Sequence, residues 1–150
     1  MESIEGEKRI QDVGELRDFA CALVEAMRAE KGSIVLTLSG DLGAGKTALV
    51  RELASCLGVE ENVTSPTFVI QKEYETGDEH FPKLIHIDAY RLLGNGELEA
   101  LGWNELIQEN GNLICVEWPE QVEGLEFGRG YHIEIEALDD ESRKVNVFRR

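Results

Sequence analysis

The sequence predicts an α/β fold, three layers thick, with a mostly parallel central sheet and a C-terminal β-hairpin. Three observations lead there. Short runs such as Ile34-Val35-Leu36-Thr37-Leu38 and Leu113-Ile114-Cys115-Val116 are apolar almost throughout, as strands buried on both faces of a parallel sheet must be. Stretches with apolar residues at helical spacing alternate with those runs. The chain then ends on two strand-like runs with a polar turn between them.

Asp12 begins the first helix, with Glu15 three residues on completing a capping-box-like pattern. Leu16, Phe19, Ala20, Leu23, Val24 and Met27 follow as one apolar stripe, and Lys31 and Gly32 end the helix. A strand covers Ser33 to Ser39. A second helix starts near Lys46, turns Leu49, Leu53, Ala54 and Leu57 inward and stops at Gly58. Thr67 to Tyr74 reads as a strand, as does Leu84 to Ile87, which ends in Asp88. Glu97 to Glu109 holds one broken or two short helices, interrupted at Gly102. Leu113 to Val116 is a strand ended by Glu117, and Pro119 starts a turn or short helix. Tyr131 to Ala137 and Lys144 to Phe148 make the closing hairpin around Asp139 to Ser142.

A length of 150 residues fits one domain, and 42% hydrophobic content allows a packed core. The net charge of −15, from 30 acidic and 15 basic residues, opposes autonomous nucleic-acid binding, because a phosphate backbone needs Lys and Arg to displace its counterions. No apolar run approaches the ~20 residues of a membrane span, and Met1 to Ile10 is charged, without the apolar stretch of a signal peptide. Cys21, Cys56 and Cys115 form no CxxC pair. They read as three small buried hydrophobes in a reduced, cytoplasmic protein rather than as a disulfide or metal site.

Gly40-Asp41-Leu42-Gly43-Ala44-Gly45-Lys46-Thr47 satisfies G-x-x-x-x-G-K-[ST], with a buried strand before it and a helix after it. Its glycines let backbone N–H groups approach phosphate oxygens, and the new helix aims its unpaired N–H groups at the same anion. Lys46 supplies a point charge for the β- and γ-phosphates, and Thr47 a hydroxyl for Mg²⁺. Residues 1–150 are therefore expected to form a single P-loop nucleotide-binding domain of the NTPase type.

Such a site needs a carboxylate near the metal at the end of a neighbouring strand. Asp88 and Glu117 both end apolar strands. Either can be the metal-side acid, the other orienting the attacking water or acting as a switch. Thr64-Ser65-Pro66-Thr67-Phe68 follows the P-loop helix, where nucleotide switches carry hydroxyls that sense the γ-phosphate. His86 reads as structural, and Arg91 as a surface ion pair. Trp118 either packs in the core or presents a face to a ligand or partner.

Together, GDLGAGKT at 40–47, TSPTF at 64–68, HIDAYRL at 86–92 and VEWPE at 116–120 resemble the TsaE family, formerly called YjeE, over about residues 33 to 120. The first helix departs from the family pattern, with Asp12 and Leu16 where a Thr and a Gly often stand near the adenine. The resemblance implies a slow ATPase using ATP and Mg²⁺, which supports tRNA threonylcarbamoyladenosine modification by acting on the TsaB–TsaD heterodimer. Contact with tRNA would be only indirect, through that complex, with no membrane involved. It also implies Lys46 and Thr47 as phosphate and Mg²⁺ residues, and Asp88 and Glu117 as the acidic pair at the metal and γ-phosphate. Thr64 to Phe68 would be the switch-like loop and Trp118 the coupling aromatic.

The alternative function is a P-loop small-molecule kinase. Such kinases use an arginine-bearing lid, whereas Arg91, Arg129 and Arg143 are scattered here. A GTPase would carry an Asn-Lys-x-Asp segment, and none occurs. A pure interaction module would hold nucleotide without turning it over.

Overall fold

The computed structural model describes residues 3–64, 70–122 and 124–150, with Asn95 through its backbone only. Seven strands, β1 (Gly6–Ile10), β2 (Ile34–Ser39), β3 (Gln71–Glu75), β4 (Lys83–Asp88), β5 (Asn112–Glu117), β6 (Gly130–Ala137) and β7 (Arg143–Arg149), form one sheet in the order β1-β7-β6-β2-β5-β4-β3. The central strands are parallel: β2 pairs with β5 and β6, and β5 with β4. Antiparallel partners close both sides, β3 on β4 and the β6–β7 hairpin with β1 beyond it.

Helices α1 (Val13–Arg28) and α2 (Lys46–Cys56) cover one face of the sheet, and the short α3 (Asn95–Ala100) and α4 (Trp103–Gln108) lie over the other. Strand alternation sorts the core between the two faces. Leu36, Leu38, Leu113 and Cys115 meet α1 and α2, while Val35, Ile114, Val116 and Ile87 meet Trp103 and Leu98. The buried side of α1 is the stripe that periodicity predicts: Leu16, Phe19, Ala20, Leu23, Val24 and Met27. Asp12 caps it by accepting the Glu15 amide at 2.8 Å. The helix ends at Arg28, before the Lys31-Gly32 pair.

Three sequence expectations need correction. β1 was not foreseen, because Glu7, Lys8 and Arg9 give no apolar alternation and only Ile10 is buried. Its polar residues suit an edge strand, where charge discourages pairing with other chains. The strand expected from Thr67 begins at Gln71, and residues 65–69 lie outside the described residues. Cys21 and Cys56 are joined as a disulfide between α1 and α2, so they are not buried hydrophobes. Cys21 is on the exposed side of its helix, and the pairing depends on how two helices pack, which no local spacing reveals. Cys115 alone is the free, buried cysteine of the reading. Burial, with Glu117 adding to it, pushes its thiol pKa up and leaves it an inert thiol.

Candidate functional site

Topology brings the site residues to the carboxyl ends of β2, β5 and β4. β2 runs directly into the P-loop, and its Leu38 pairs with Glu117 in β5, which in turn pairs with Asp88 in β4. The two acids therefore stand side by side on the face that α2 covers, with Glu117 one strand from the loop and Asp88 two.

The loop is shaped by close approaches that exclude side chains. A Cβ on Gly40 would lie 2.4 Å from the Ile135 carbonyl oxygen of β6, and one on Gly45 would lie 2.7 Å from Arg143 Nε. Gly45 precedes α2 with φ 116°, and no side chain caps the helix. The first-turn N–H groups of α2 are left for an anion, and the first turn has no acid to repel one.

Lys46 folds back on the loop, its Nζ donating to the carbonyl of Gly40 and, at 3.1 Å, to that of Asp41. The ammonium lies 4.1 Å from the centroid of the Trp118 ring. Burial holds its pKa below the ordinary lysine value, opposed by the nearby carboxylates of Glu117, Glu120, Asp88 and Asp41. Thr47 donates its hydroxyl to Glu117 at 2.9 Å. The same carboxylate meets His86 Nε2, so Glu117 is held from two sides. Asp88 accepts the Tyr90 amide at 3.0 Å. Both acids are buried, at 5% exposure for Asp88 and 3% for Glu117. Trp118 has φ 61°, an uncommon value for a non-glycine residue, and its ring sits 5.0 Å from that of Tyr90. The strained turn directs the indole to the ammonium.

Lys46, Thr47, Asp88, Glu117 and Trp118 line a cleft of ≈ 290 Å³ together with Leu42, Gly43, Gly45 and Arg143. Gly40, Asp41 and Ala44 border a neighbouring hollow and form the back of the loop. Thr64 is exposed and does not line the cleft, and Ser65, Pro66, Thr67 and Phe68 lie outside the described residues. Sequence reasoning left out two side chains that belong here. His86 reads as structural, yet it touches Glu117; its alternation with Asp88 along β4 was the available signal. Arg143 reads as scattered, yet β7 delivers it to the loop.

A roomier cavity of ≈ 760 Å³ lies on the other face of the sheet, beside Thr37, His132, Phe127 and Arg150. Its polar groups bind one another. Thr37 Oγ1 is 2.7 Å from His132 Nδ1, and Arg150 donates to Thr37 and to the Tyr131 carbonyl, each at 2.9 Å. The smaller cleft is where a lysine, a threonine hydroxyl and two buried acids converge beside the open N-terminus of α2, which is the arrangement a charged ligand requires.

The cleft's donor set fits the expected ligands. A threonine hydroxyl beside carboxylates is a hard-oxygen set suited to Mg²⁺. Among the described residues no cluster of three or more His, Cys, Asp or Glu could hold a metal ion. No helix of the described residues is long and apolar enough to cross a membrane.

Comparison with known proteins places the chain in a family. The crystal structure of Bacillus subtilis YdiB superposes with a TM-score of 0.73 at 30% identity, covering 94% of this chain and 82% of that one. The tRNA threonylcarbamoyladenosine biosynthesis protein TsaE of Aquifex aeolicus is 41% identical over 122 residues, 80% of each chain. That of Streptomyces coelicolor is 45% identical over 107 residues, 70% of this chain and 68% of its own. The family model described as "Threonylcarbamoyl adenosine biosynthesis protein TsaE" matches residues 10–145. With its loop, paired acids and aromatic all inside that span, the chain belongs to the TsaE family.

Proposed function

We propose that this protein is an ATPase, slow by itself, that supports N6-threonylcarbamoyladenosine modification of tRNA by acting on a TsaB–TsaD heterodimer. The observation that carries the reading is the convergence of Lys46, Thr47, Glu117 and Asp88 on one cleft at the mouth of α2. Family membership supplies the pathway.

In this reading the loop from Gly40 to Thr47 holds the triphosphate through backbone N–H groups, and Lys46 moves from loop carbonyls to phosphate oxygens. Thr47 and Glu117 are the residues that would hold Mg²⁺, which when bound would supply positive charge against the phosphates. Glu117 takes the metal-side role because it already binds the Thr47 hydroxyl, and His86 fixes its carboxylate. Asp88, one strand further out, orients the attacking water and accepts its proton. Trp118 follows Glu117 in the chain and covers Lys46, so a change at the γ-phosphate reaches an aromatic side chain that a partner can sense. Thr64 to Phe68 serves as the γ-phosphate-sensing loop. Contact with tRNA runs through the partners, since a net charge of −15 opposes direct binding.

Phosphate release measured with Mg²⁺, alone and with the TsaB–TsaD pair, tests this function. Slow turnover that rises with the pair is expected. Stoichiometric binding without turnover in either condition would make the protein a nucleotide-holding interaction module. ATP-dependent phosphorylation of a metabolite would make it a kinase.

A further inference from the structure

Arg143 opens β7, on the other side of β2 from Glu117, yet its side chain crosses to the P-loop. Its Nε donates to the Ala44 carbonyl at 2.6 Å. A Cβ on Gly45 would stand 2.7 Å from Nε and 3.0 Å from Cδ, so the arginine stem covers the bare face of Gly45. The side chain lines the same cleft as Lys46, Thr47 and Ala48. The bond to Ala44 fixes the plane of the guanidinium and leaves its terminal nitrogens uncommitted. Among the described residues neither of them has a hydrogen-bond or ion-pair partner. In a chain with twice as many acids as bases, an unpaired arginine fork beside an anion cradle is a deliberate arrangement. Anchoring at Nε also reduces the rotamer freedom lost when the fork engages a ligand.

Resting on the nucleotide reading of the cleft, we propose that Arg143 is a nucleotide-binding residue whose terminal nitrogens donate to the α- and β-phosphates. Its neighbours favour those phosphates over the γ-phosphate. Arg143 bears on Ala44 and Gly45, next to the first turn of α2. Trp118 and the acids gather instead around the Lys46 ammonium, and no hydrogen bond or ion pair among the described residues ties Arg143 to Glu117 or Asp88. ATP and ADP then share the contact, and the base takes no part in it.

Calorimetric titration of wild type, Arg143→Met and Arg143→Lys with ATP, ADP and inorganic pyrophosphate, each with Mg²⁺, tests this. The Met variant keeps an apolar stem over Gly45 and removes the fork. Its affinity should fall about tenfold or more, by a similar factor for all three ligands. The Lys variant should recover only part of the loss, because it has a point charge and no fork. Unchanged affinity in the Met variant would make the side chain a brace for the loop and overturn the inference. So would a loss confined to ATP, which marks a γ-phosphate contact, or a loss that spares pyrophosphate, which marks a ribose or base contact. If wild type binds none of the three ligands, the nucleotide reading itself fails and takes this inference with it.

Discussion

The ends of β4 and β5 look alike in sequence and differ in the fold. Both strands run apolar residues into an acid, and Asp88 and Glu117 are paired in register. Strand order separates them. β5 lies next to β2, so Glu117 reaches Thr47 at the start of α2, while β4 lies one place further out and Asp88 turns back to cap the Tyr90 amide. His86 sharpens the difference, because the β4 side chain two residues before Asp88 binds Glu117. Equivalent sequence signals thus acquire distinct chemistry from the order in which strands are laid beside the phosphate loop.

The comparison presupposes a phosphate group beside both acids, so Lys46→Ala has the largest expected effect. It removes the charge that both carboxylates face and should weaken ATP binding about a hundredfold or more, read by calorimetry. Unchanged affinity in a folded variant would leave the two acids with nothing to act on.

Isosteric replacements separate the acids more finely. Glu117→Gln should lower partner-stimulated phosphate release by about 10²–10³-fold, the scale of losing a preorganised electrostatic group. Asp88→Asn should cost about 10–100-fold, as groups one shell removed from a metal do. Both acids are buried rather than solvated. Removing Glu117 outright would also strand His86 and Thr47, at about 1–3 kcal/mol of stability; the Gln variant limits that. Equal losses for the two variants would erase the distinction drawn here.

Trp118 carries the comparison outward from Glu117. Trp118→Ala should change ATP affinity by no more than about thirtyfold, less than Lys46→Ala does, since a cation–π contact to a buried ammonium such as that of Lys46 is worth about 2 kcal/mol. It should still reduce stimulation by TsaB–TsaD. The ring is only partly buried, so its melting temperature should drop less than the loss of a core aromatic, about 3–5 kcal/mol, would imply. Full stimulation in a stable variant would deny it a coupling role.

The smallest effect belongs to an acid with no part in the site. Burial raises the pKa of Asp78, but amide bonds from Phe81 and His80 and its ion pair with Arg28 outweigh that and hold it below the ordinary aspartate value. A carboxyl depressed on folding contributes stability that is complete above its unfolded pKa, about 4, and is lost as pH falls through the lower folded value. Asp78→Asn should therefore cost about 1 kcal/mol at neutral pH and flatten the acid limb of the stability curve, with ATP turnover unchanged. An unaltered acid limb would show that this pair contributes nothing to it.

What the sequence disclosed divides along the same lines as these effects. The P-loop, the α1 stripe and the two acid-ended strands are local patterns whose physical cause lies within a few residues, and each stands where it was expected. The contacts that organise the site join distant segments. Arg143 meets Ala44 across 99 positions and Thr47 meets Glu117 across 70, so neither bond is visible without the strand order. The Cys21–Cys56 bridge was missed for the same reason, and β1 because a charged edge strand has no alternation to detect.

The most direct test of the account is the Mg²⁺ dependence of ATP binding in wild type, Glu117→Gln and Asp88→Asn, followed by calorimetry with and without the metal. Wild type should bind ATP more tightly with Mg²⁺. Glu117→Gln should lose most of that gain, and Asp88→Asn should keep most of it. A wild type that does not bind ATP, or a gain lost in Asp88→Asn and kept in Glu117→Gln, would contradict the assignment of the metal to the β5 acid beside Thr47.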